Sequence, residues 1–228
     1  MIPRMDEVDR DNSQTITGTG VKESQTAPRP VLLASASPRR AELLAAAGIP
    51  FRVEPARVVE HADPGADPED LVRRNAALKA REVAGRFPGE AVLGADTAVS
   101  LDGVVFGKPK DYDDAFAMLR ALSGRSHEVR TGVCLVRRDG CDEVFCALSR
   151  VTFRRLSDAD IRAYIRDVHV FDKAGAYAIQ EEGGRIIAGR EGSRTNVIGL
   201  PMEEVLPRLR SNDRRRLQPG GLFPHSAP

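Results

Sequence analysis

The eight residues LASASPRR, at positions 33–40, are the feature that most constrains the fold of this chain. An apolar run over residues 30–33 ends in two serines, and Pro38 then opens a segment rich in alanine and leucine. Ser37 suits the N-cap position of a helix, and Pro38 suits the first helical position, where the N–H that proline lacks would be unpaired anyway. The segment therefore predicts a strand that passes directly into a helix.

Two adjacent arginines, Arg39 and Arg40, follow the proline at this predicted helix start. They oppose the helix dipole, which favours negative charge in the first turn. Their position becomes favourable if an anion binds there, because helix N-termini and guanidinium groups both bind phosphate. On these residues alone, an ordinary turn with two solvated arginines is the alternative.

Composition excludes several classes of protein. The 228 residues are 41% hydrophobic, enough for one substantial core. The formal net charge of +1 and the 5% aromatic content disfavour a nucleic-acid or membrane partner, and no apolar run approaches the length of a bilayer span. The N-terminus lacks the apolar core of a signal peptide. Three cysteines without metal-ligand spacing predict reduced thiols in a cytoplasmic protein.

The chain divides into one folded domain with two polar ends. Residues 1–28 have no apolar periodicity and predict a disordered extension, and residues 211–228 predict a disordered tail. Residues 29–210 then form the domain. Within it, helix and strand patterns alternate, with both hairpin signals and crossover units, which predicts an α/β (mixed α+β) fold with a mixed twisted sheet flanked by helices.

The individual elements follow from periodicity and capping residues. Strands are predicted over residues 31–35, 51–53, 91–101, 104–106, 128–136 and 143–153. Helices are predicted over residues 38–47 and 68–87, after the capping residues Asp111 and Ser157, and from residue 202. The Gly-rich stretches over residues 174–187 and 196–200 are predicted to be strand-like.

Two carboxylates are candidates for chemistry. Asp96 ends the apolar run VLGAD and precedes Thr97, and a buried charge there requires a metal, water or cationic partner. Asp96 is therefore a candidate base or metal ligand, with a turn capped through Thr97 as the alternative. Glu60 follows two valines, and if it met Asp96 in space the pair could hold a divalent ion. Sequence spacing does not show that the two meet.

Three further side chains could contact an anionic or flat ligand. Lys108 stands in a turn between glycine and proline, and Lys79 lies on the long predicted helix beside its apolar face. Gln180 follows a run of small residues that permit close approach, and its amide could bind a base edge. For the two lysines, the alternative is an ordinary solvated side chain. For the small residues before Gln180, the alternative is a strand that crosses tightly over a neighbour.

Taken together, these residues resemble the Maf family of nucleoside triphosphate pyrophosphatases. Seven motifs match in the family's order, and they cover essentially the whole folded part. They lie at residues 33–40, 94–97, 107–109, 122–127, 131–132, 172–177 and 196–201. The resemblance implies a Maf/ITPase-like fold that hydrolyses a nucleoside triphosphate between its α and β phosphates. It also implies a divalent cation such as Mg²⁺, Mn²⁺ or Co²⁺, and a homodimer as one expected assembly.

Roles for individual residues follow from the same resemblance. Asp96 would be the general base that activates water, and Glu60 would join it around the metal. The residues that would hold the triphosphate are Ser35, Arg39, Arg40, Lys79 and Lys108. Thr97 and Gln180 are further expected substrate contacts.

The resemblance also points to a branch of the family. Arg39, Thr97 and Gln180 are similar to the branch that acts on dTTP and UTP, whereas the branch that acts on 7-methyl-GTP typically differs at all three positions. A 7-methyl-GTP-type enzyme and a non-catalytic nucleotide-binding regulator of cell division are the alternatives. Glu181 and Arg194 depart from the family pattern, which bears on base preference.

Overall fold

A computed structural model describes residues 29–63, 65–140, 142–180 and 183–214. The predicted disordered extension over residues 1–28 lies outside the described residues, as does the part of the predicted tail from residue 215 onward. The last described helix continues to Arg214, four residues past the predicted domain boundary at residue 210. No helix in the described part of the chain is long and apolar enough to cross a membrane.

A mixed sheet forms the centre of the described domain, as the sequence predicts. Its strands are β1 (Val31–Leu33), β2 (Phe51–Val53), β3 (Val92–Leu101), β4 (Val104–Phe106), β5 (Ser126–Val136), β6 (Asp142–Phe153) and β7 (Ile187–Glu191). The strand order is β2-β1-β3-β5-β6-β7, and β4 pairs with β3. Strand β1 pairs in parallel with β2 and β3, and the other pairs are antiparallel.

Helices pack on both faces of this sheet. They are α1 (Pro38–Ala46), α2 (Pro68–Arg86), α3 (Tyr112–Leu122), α4 (Asp158–Asp167), α5 (Gly183–Ile186), α6 (Arg194–Ile198) and α7 (Met202–Arg214). Helix α2 covers one apolar cluster on the sheet, and α1 and α7 cover a second. A third cluster joins α3 and α4 to the far ends of the long strands.

Local signals in the sequence explain where the helices begin. Asp111 caps α3 by accepting a hydrogen bond from the backbone N–H of Asp114, and Ser157 and Asp160 form a reciprocal capping box on α4. Both caps are confirmed. Ser37 also stands at the N-cap of α1 with extended backbone, although its hydroxyl makes no capping bond within the described residues.

The strand-like predictions for the last third of the chain are wrong. Residues Ala174–Ala176 form a 3-10 turn, where Gly175 has a φ of 69°. Residues Arg194–Ile198 form a helix, whose first turn the Ser193 hydroxyl caps. Turn geometry and capping outweigh the strand-like pattern here, and the edge of β6 is already paired with β7.

Two glycines let helix α2 approach the sheet closely. A Cβ atom on Gly132 of β5 would lie 2.3 Å from the backbone oxygen of Val72, and one on Gly94 of β3 would lie 2.5 Å from that of Ala76. No other residue fits these two positions without movement of the helix. The close contact holds the buried face of α2 directly over the centre of β3.

Candidate active site

The ammonium group of Lys79 lies between two carboxylates. Its Nζ atom is 2.7 Å from Oδ1 of Asp96 and 2.9 Å from Oε2 of Glu60. The side chains of Lys79 and Asp96 are only 9% and 14% exposed, whereas that of Glu60 is 52% exposed. The structure therefore brings together three residues that the sequence predicted separately, in one cluster that opens to solvent on the side of Glu60.

The sheet topology explains why this cluster lies where it does. Strand β1 ends at Leu33, opposite Leu93, whereas β3 continues to Leu101. Beyond the end of β1, the flank of β3 at Asp96 has lost its parallel neighbour. In mixed and parallel sheets, ligands bind in such crevices at the carboxyl ends of strands. The chain that leaves β1 forms the turn at residues 34–37, so the start of α1 borders the same crevice.

Asn75 is a site residue that the sequence analysis missed. Its amide nitrogen donates to Oδ2 of Asp96 at 3.1 Å and to the carbonyl oxygen of His61 at 3.1 Å, and its amide oxygen accepts from the backbone N–H of His61 at 2.8 Å. Asn75 thus fixes Asp96 and the loop that carries Glu60. It stands four residues before Lys79, one helical turn away on an alanine-rich face, and that spacing was the available signal.

A second polar cluster surrounds the buried guanidinium of Arg40. Arg40 donates to the carbonyl oxygen of Gly199 at 2.8 Å, to the hydroxyl of Ser35 at 2.8 Å and to that of Thr97 at 3.1 Å. The Thr97 hydroxyl is also 3.0 Å from that of Thr131. Burial lowers the pKa of Arg40, and the nearby Asp96 carboxylate opposes that shift. This cluster ties the start of α1 to β3 and to the end of α6.

Arg39 points to a different partner. Its Nη1 atom donates to Oδ2 of Asp172 at 2.8 Å, and Lys173 donates to Oδ1 of the same carboxylate at 2.8 Å. Burial alone would raise the pKa of Asp172, but the hydrogen bonds from Lys173 and Arg39 outweigh it and lower the pKa to about 2. Asp172 therefore carries its negative charge throughout the physiological pH range.

Lys108 and Gln180 do not join either cluster in the described part of the chain. Both side chains are exposed. The turn that carries Lys108 is nevertheless fixed, because the carbonyl oxygen of Gly107 accepts a hydrogen bond from the backbone N–H of Gly175 at 3.1 Å.

Glu60 and Asp96 offer hard oxygen donors of the kind that divalent cations prefer. Two of their oxygens lie within 2.9 Å of one ammonium nitrogen, so the pair is able to flank a single cation. Among the described residues, no group of three or more His, Cys, Asp or Glu side chains is arranged to hold a metal ion. Two carboxylates suffice for Mg²⁺ where substrate phosphates and water supply the remaining ligands.

Of Glu181 and Arg194, the two departures that bear on base preference, only Arg194 lies in the described residues. Arg194 is exposed at the start of α6, and the neighbouring Thr195 hydroxyl accepts from the backbone N–H of Met202 at 3.0 Å and donates to Glu203 at 2.7 Å. Thr195 therefore serves to join α6 to α7. Glu181 lies outside the described residues.

The fold and the site together define an α/β protein in which a helix N-terminus follows the carboxyl end of β1 and a carboxylate–lysine cluster lies beside it on β3. The profile of the family described as "Maf-like protein" matches residues 30–212, and the chain belongs to this family.

Individual relatives match this chain over most of their own length. A dTTP/UTP pyrophosphatase of Geobacter sp. (strain M21) is 50% identical over 181 residues, which cover 79% of this chain and 94% of the relative. The dTTP/UTP pyrophosphatase of Anaeromyxobacter dehalogenans (strain 2CP-C) is 50% identical over 188 residues, 81% of this chain and 94% of the relative. That of Myxococcus xanthus is 49% identical over 179 residues, 78% of this chain and 90% of the relative.

A more distant likeness exists among solved structures. The crystal structure of a nucleoside-triphosphatase / dITP/XTP pyrophosphatase from Mycobacterium abscessus matches with a TM-score of 0.40 and 19% identity. The match covers 84% of this chain and 98% of that one, and it is too distant to bear on the chemistry of this site.

Proposed function

We propose that this chain is a nucleoside triphosphate pyrophosphatase that hydrolyses dTTP and UTP to the monophosphate and pyrophosphate. The observation that carries the proposal is the Lys79 ammonium held between Asp96 and Glu60, at the crevice where α1 begins with Arg39 and Arg40. Relatives about 50% identical over nearly their whole length bear the name dTTP/UTP pyrophosphatase, which supports the substrate class.

In this proposal the triphosphate lies across the carboxyl end of β1. The groups that bind it are Ser35, Arg39, Arg40, Lys79, Thr97 and Lys108, and Gln180 contacts the base. Backbone N–H groups at the start of α1 add to the attraction for phosphate. Arg40 is already bonded to three neutral oxygens, so its charge acts from a fixed position.

Asp96 is the proposed general base. It takes a proton from a water molecule whose oxygen forms a bond to the α-phosphorus, while the bond to the bridging oxygen breaks and pyrophosphate leaves. Asn75 and Lys79 hold one carboxylate oxygen each, so the direction of the group is set before the substrate binds. A divalent cation held by Glu60 and Asp96 would neutralise charge on the phosphate oxygens.

The direct test is pyrophosphate release from dTTP, UTP, other canonical triphosphates and 7-methyl-GTP, with Mg²⁺, Mn²⁺ or Co²⁺. We expect turnover of dTTP and UTP that Asp96→Asn lowers by roughly 10³-fold, since general-base catalysis contributes about 10²–10⁴, while nucleotide binding is retained. Asp102→Asn is the matched control, because this exposed aspartate follows the same strand, six residues and about 20 Å further along.

Other outcomes of the same assay distinguish the alternatives. Turnover confined to 7-methyl-GTP would assign the chain to that branch of the family. Binding of nucleotides without release of pyrophosphate by the wild type would favour a regulator. Near-normal turnover by Asp96→Asn would contradict the proposed role of Asp96 but not the proposed activity. Homodimerisation and a cytoplasmic location remain further predictions, which sedimentation and cell fractionation test.

A further inference from the structure

The segment over residues 172–177, which we call the strap, packs against β3 and touches three separate parts of the domain. At its start, Asp172 binds Arg39 of α1. In its middle, the backbone N–H of Gly175 donates to the carbonyl oxygen of Gly107, the residue before Lys108. At its end, the hydroxyl of Tyr177 is 2.9 Å from Nε2 of the buried His127 on β5. The strap therefore connects Arg39 with the turn that carries Lys108, although the two are far apart in sequence.

The path of the strap is firmly determined. Gly175 has a φ of 69°, and a Cβ atom there would lie 3.0 Å from Cγ1 of Val99, so the turn lies directly on β3. Tyr177 and His127 are both buried, and the ring of Phe153 contacts each of them edge to face at 4.9 Å between centroids. A fixed strap fixes the position of the carboxylate at its start.

The contact between Asp172 and Arg39 leaves Arg39 able to bind a further anion. Nη1 donates to the carboxylate of Asp172 at 2.8 Å, and Nη2 donates to its backbone oxygen at 3.4 Å. These contacts use two of the five N–H groups of a guanidinium. Lys173 also donates to the Asp172 carboxylate, so two cations share one anion and the group keeps a net positive charge.

We propose that Asp172 is a positioning residue for substrate binding. It holds Arg39 in a fixed position relative to the turn that carries Lys108, because the strap contacts both. This inference rests on the proposed function. The physical reason is the conformational freedom of arginine, whose long side chain loses many rotamers when it binds a phosphate. An arginine that is already held loses fewer, so the triphosphate binds more tightly.

The experiment compares KM and kcat for dTTP in the wild type and Asp172→Asn, which keeps the shape of the side chain and removes its charge. We expect KM to rise about tenfold, the effect of ordering one long side chain, and kcat to change less than about threefold. Asp172→Glu restores the charge and should recover part of the affinity. The matched control is Asp167→Asn, because Asp167 is also an aspartate bound by two cations, Arg166 and Arg185.

A double-mutant cycle separates positioning from a merely structural role. If Asp172 acts through Arg39, then Asp172→Asn leaves KM unchanged in the Arg39→Ala background. An equal rise of KM in both backgrounds would overturn the proposal. So would a fall of KM in the single variant, which would mean that Asp172 competes with the phosphate for Arg39.

Calorimetric binding of inorganic tripolyphosphate tests this inference separately from the proposed function, because it measures binding and does not depend on hydrolysis. Should the wild type hydrolyse no triphosphate, the proposed function fails, and the effect of Asp172→Asn on the Kd for tripolyphosphate still decides the role of Asp172. A weaker Kd in the variant supports the inference, and an unchanged or tighter Kd overturns it.

Discussion

The Nζ atom of Lys79 lies 2.7 Å from Oδ1 of Asp96, and both side chains are largely buried. A carboxylate in such a place needs a cation, since the loss of hydration would otherwise oppose its charge. The lysine comes from α2 and the aspartate from β3, so the pair exists only when the helix is seated on the sheet. The proposed base therefore depends on the packing of α2.

Removal of the Lys79 charge should affect both activity and stability. Lys79→Met leaves the buried Asp96 carboxylate without its cation, and breaking a buried ion pair in this way costs about 3 kcal/mol. We expect the free energy of unfolding in urea to fall by that amount and pyrophosphate release from dTTP to fall at least about 100-fold. Lys110→Met, at an exposed lysine, is the control. Wild-type turnover in Lys79→Met would exclude a role for this ammonium.

Asn75 should be required for the orientation of Asp96. Asn75→Ala removes three hydrogen bonds and leaves the backbone groups of His61 with one partner fewer each. We expect a loss of about 2–3 kcal/mol in the free energy of unfolding, with kcat reduced more than KM is raised. Steady-state kinetics beside urea denaturation tests this. If stability falls and kcat does not, Asn75 supports the loop at residue 61 and has no part in orienting the base.

The close contact between α2 and the sheet should not tolerate a methyl group. In Gly132→Ala the new Cβ atom would meet the backbone of Val72, so the helix would have to shift. We expect the free energy of unfolding to fall by about 3 kcal/mol and turnover to fall with it, because Lys79 moves with the helix. Gly189→Ala on β7 is the control, since a Cβ there meets nothing within 4 Å. Equal stability of the two variants would contradict the contact.

His127 should make stability depend on pH below neutrality. Burial lowers the pKa of His127 to about 4 from its ordinary 6.5. The folded chain therefore favours the neutral ring. The contribution of this ring to the free energy of unfolding is complete above about pH 6.5 and is lost as the pH falls from 6.5 to 4. The full loss is about 3 kcal/mol.

The measurement for His127 is the free energy of unfolding in urea at pH 7 and pH 4.5. Between these values we expect His127→Gln to lose about 2 kcal/mol less than the wild type. His169→Gln is the control, because His169 is exposed and should follow the wild type. Parallel curves for the wild type and His127→Gln would show that the ring is not buried in its neutral form.

Much of the secondary structure could be predicted because its causes are local. Asp111 and Ser157 bond to backbone groups three residues away, and Asp102 and Gly103 form the hairpin turn between β3 and β4 with positive φ angles. The last third of the chain was harder. Gly175 turns where it lies against Val99, a residue more than seventy positions earlier, and no local pattern reports that contact.

The sequence by itself determined the fold class, the start of α1 at Pro38 and the types of residue that form the site, because capping, periodicity and charge are properties of neighbouring residues. Only the tertiary structure decided which of these residues meet. Asn75 and Lys79 bind Asp96 because two glycines let α2 approach the sheet closely. Arg39 binds Asp172, where the sequence alone left a solvated arginine as an alternative. Such pairings depend on how closely elements pack across the sheet, and side-chain contacts of that kind leave no periodic signal along the chain.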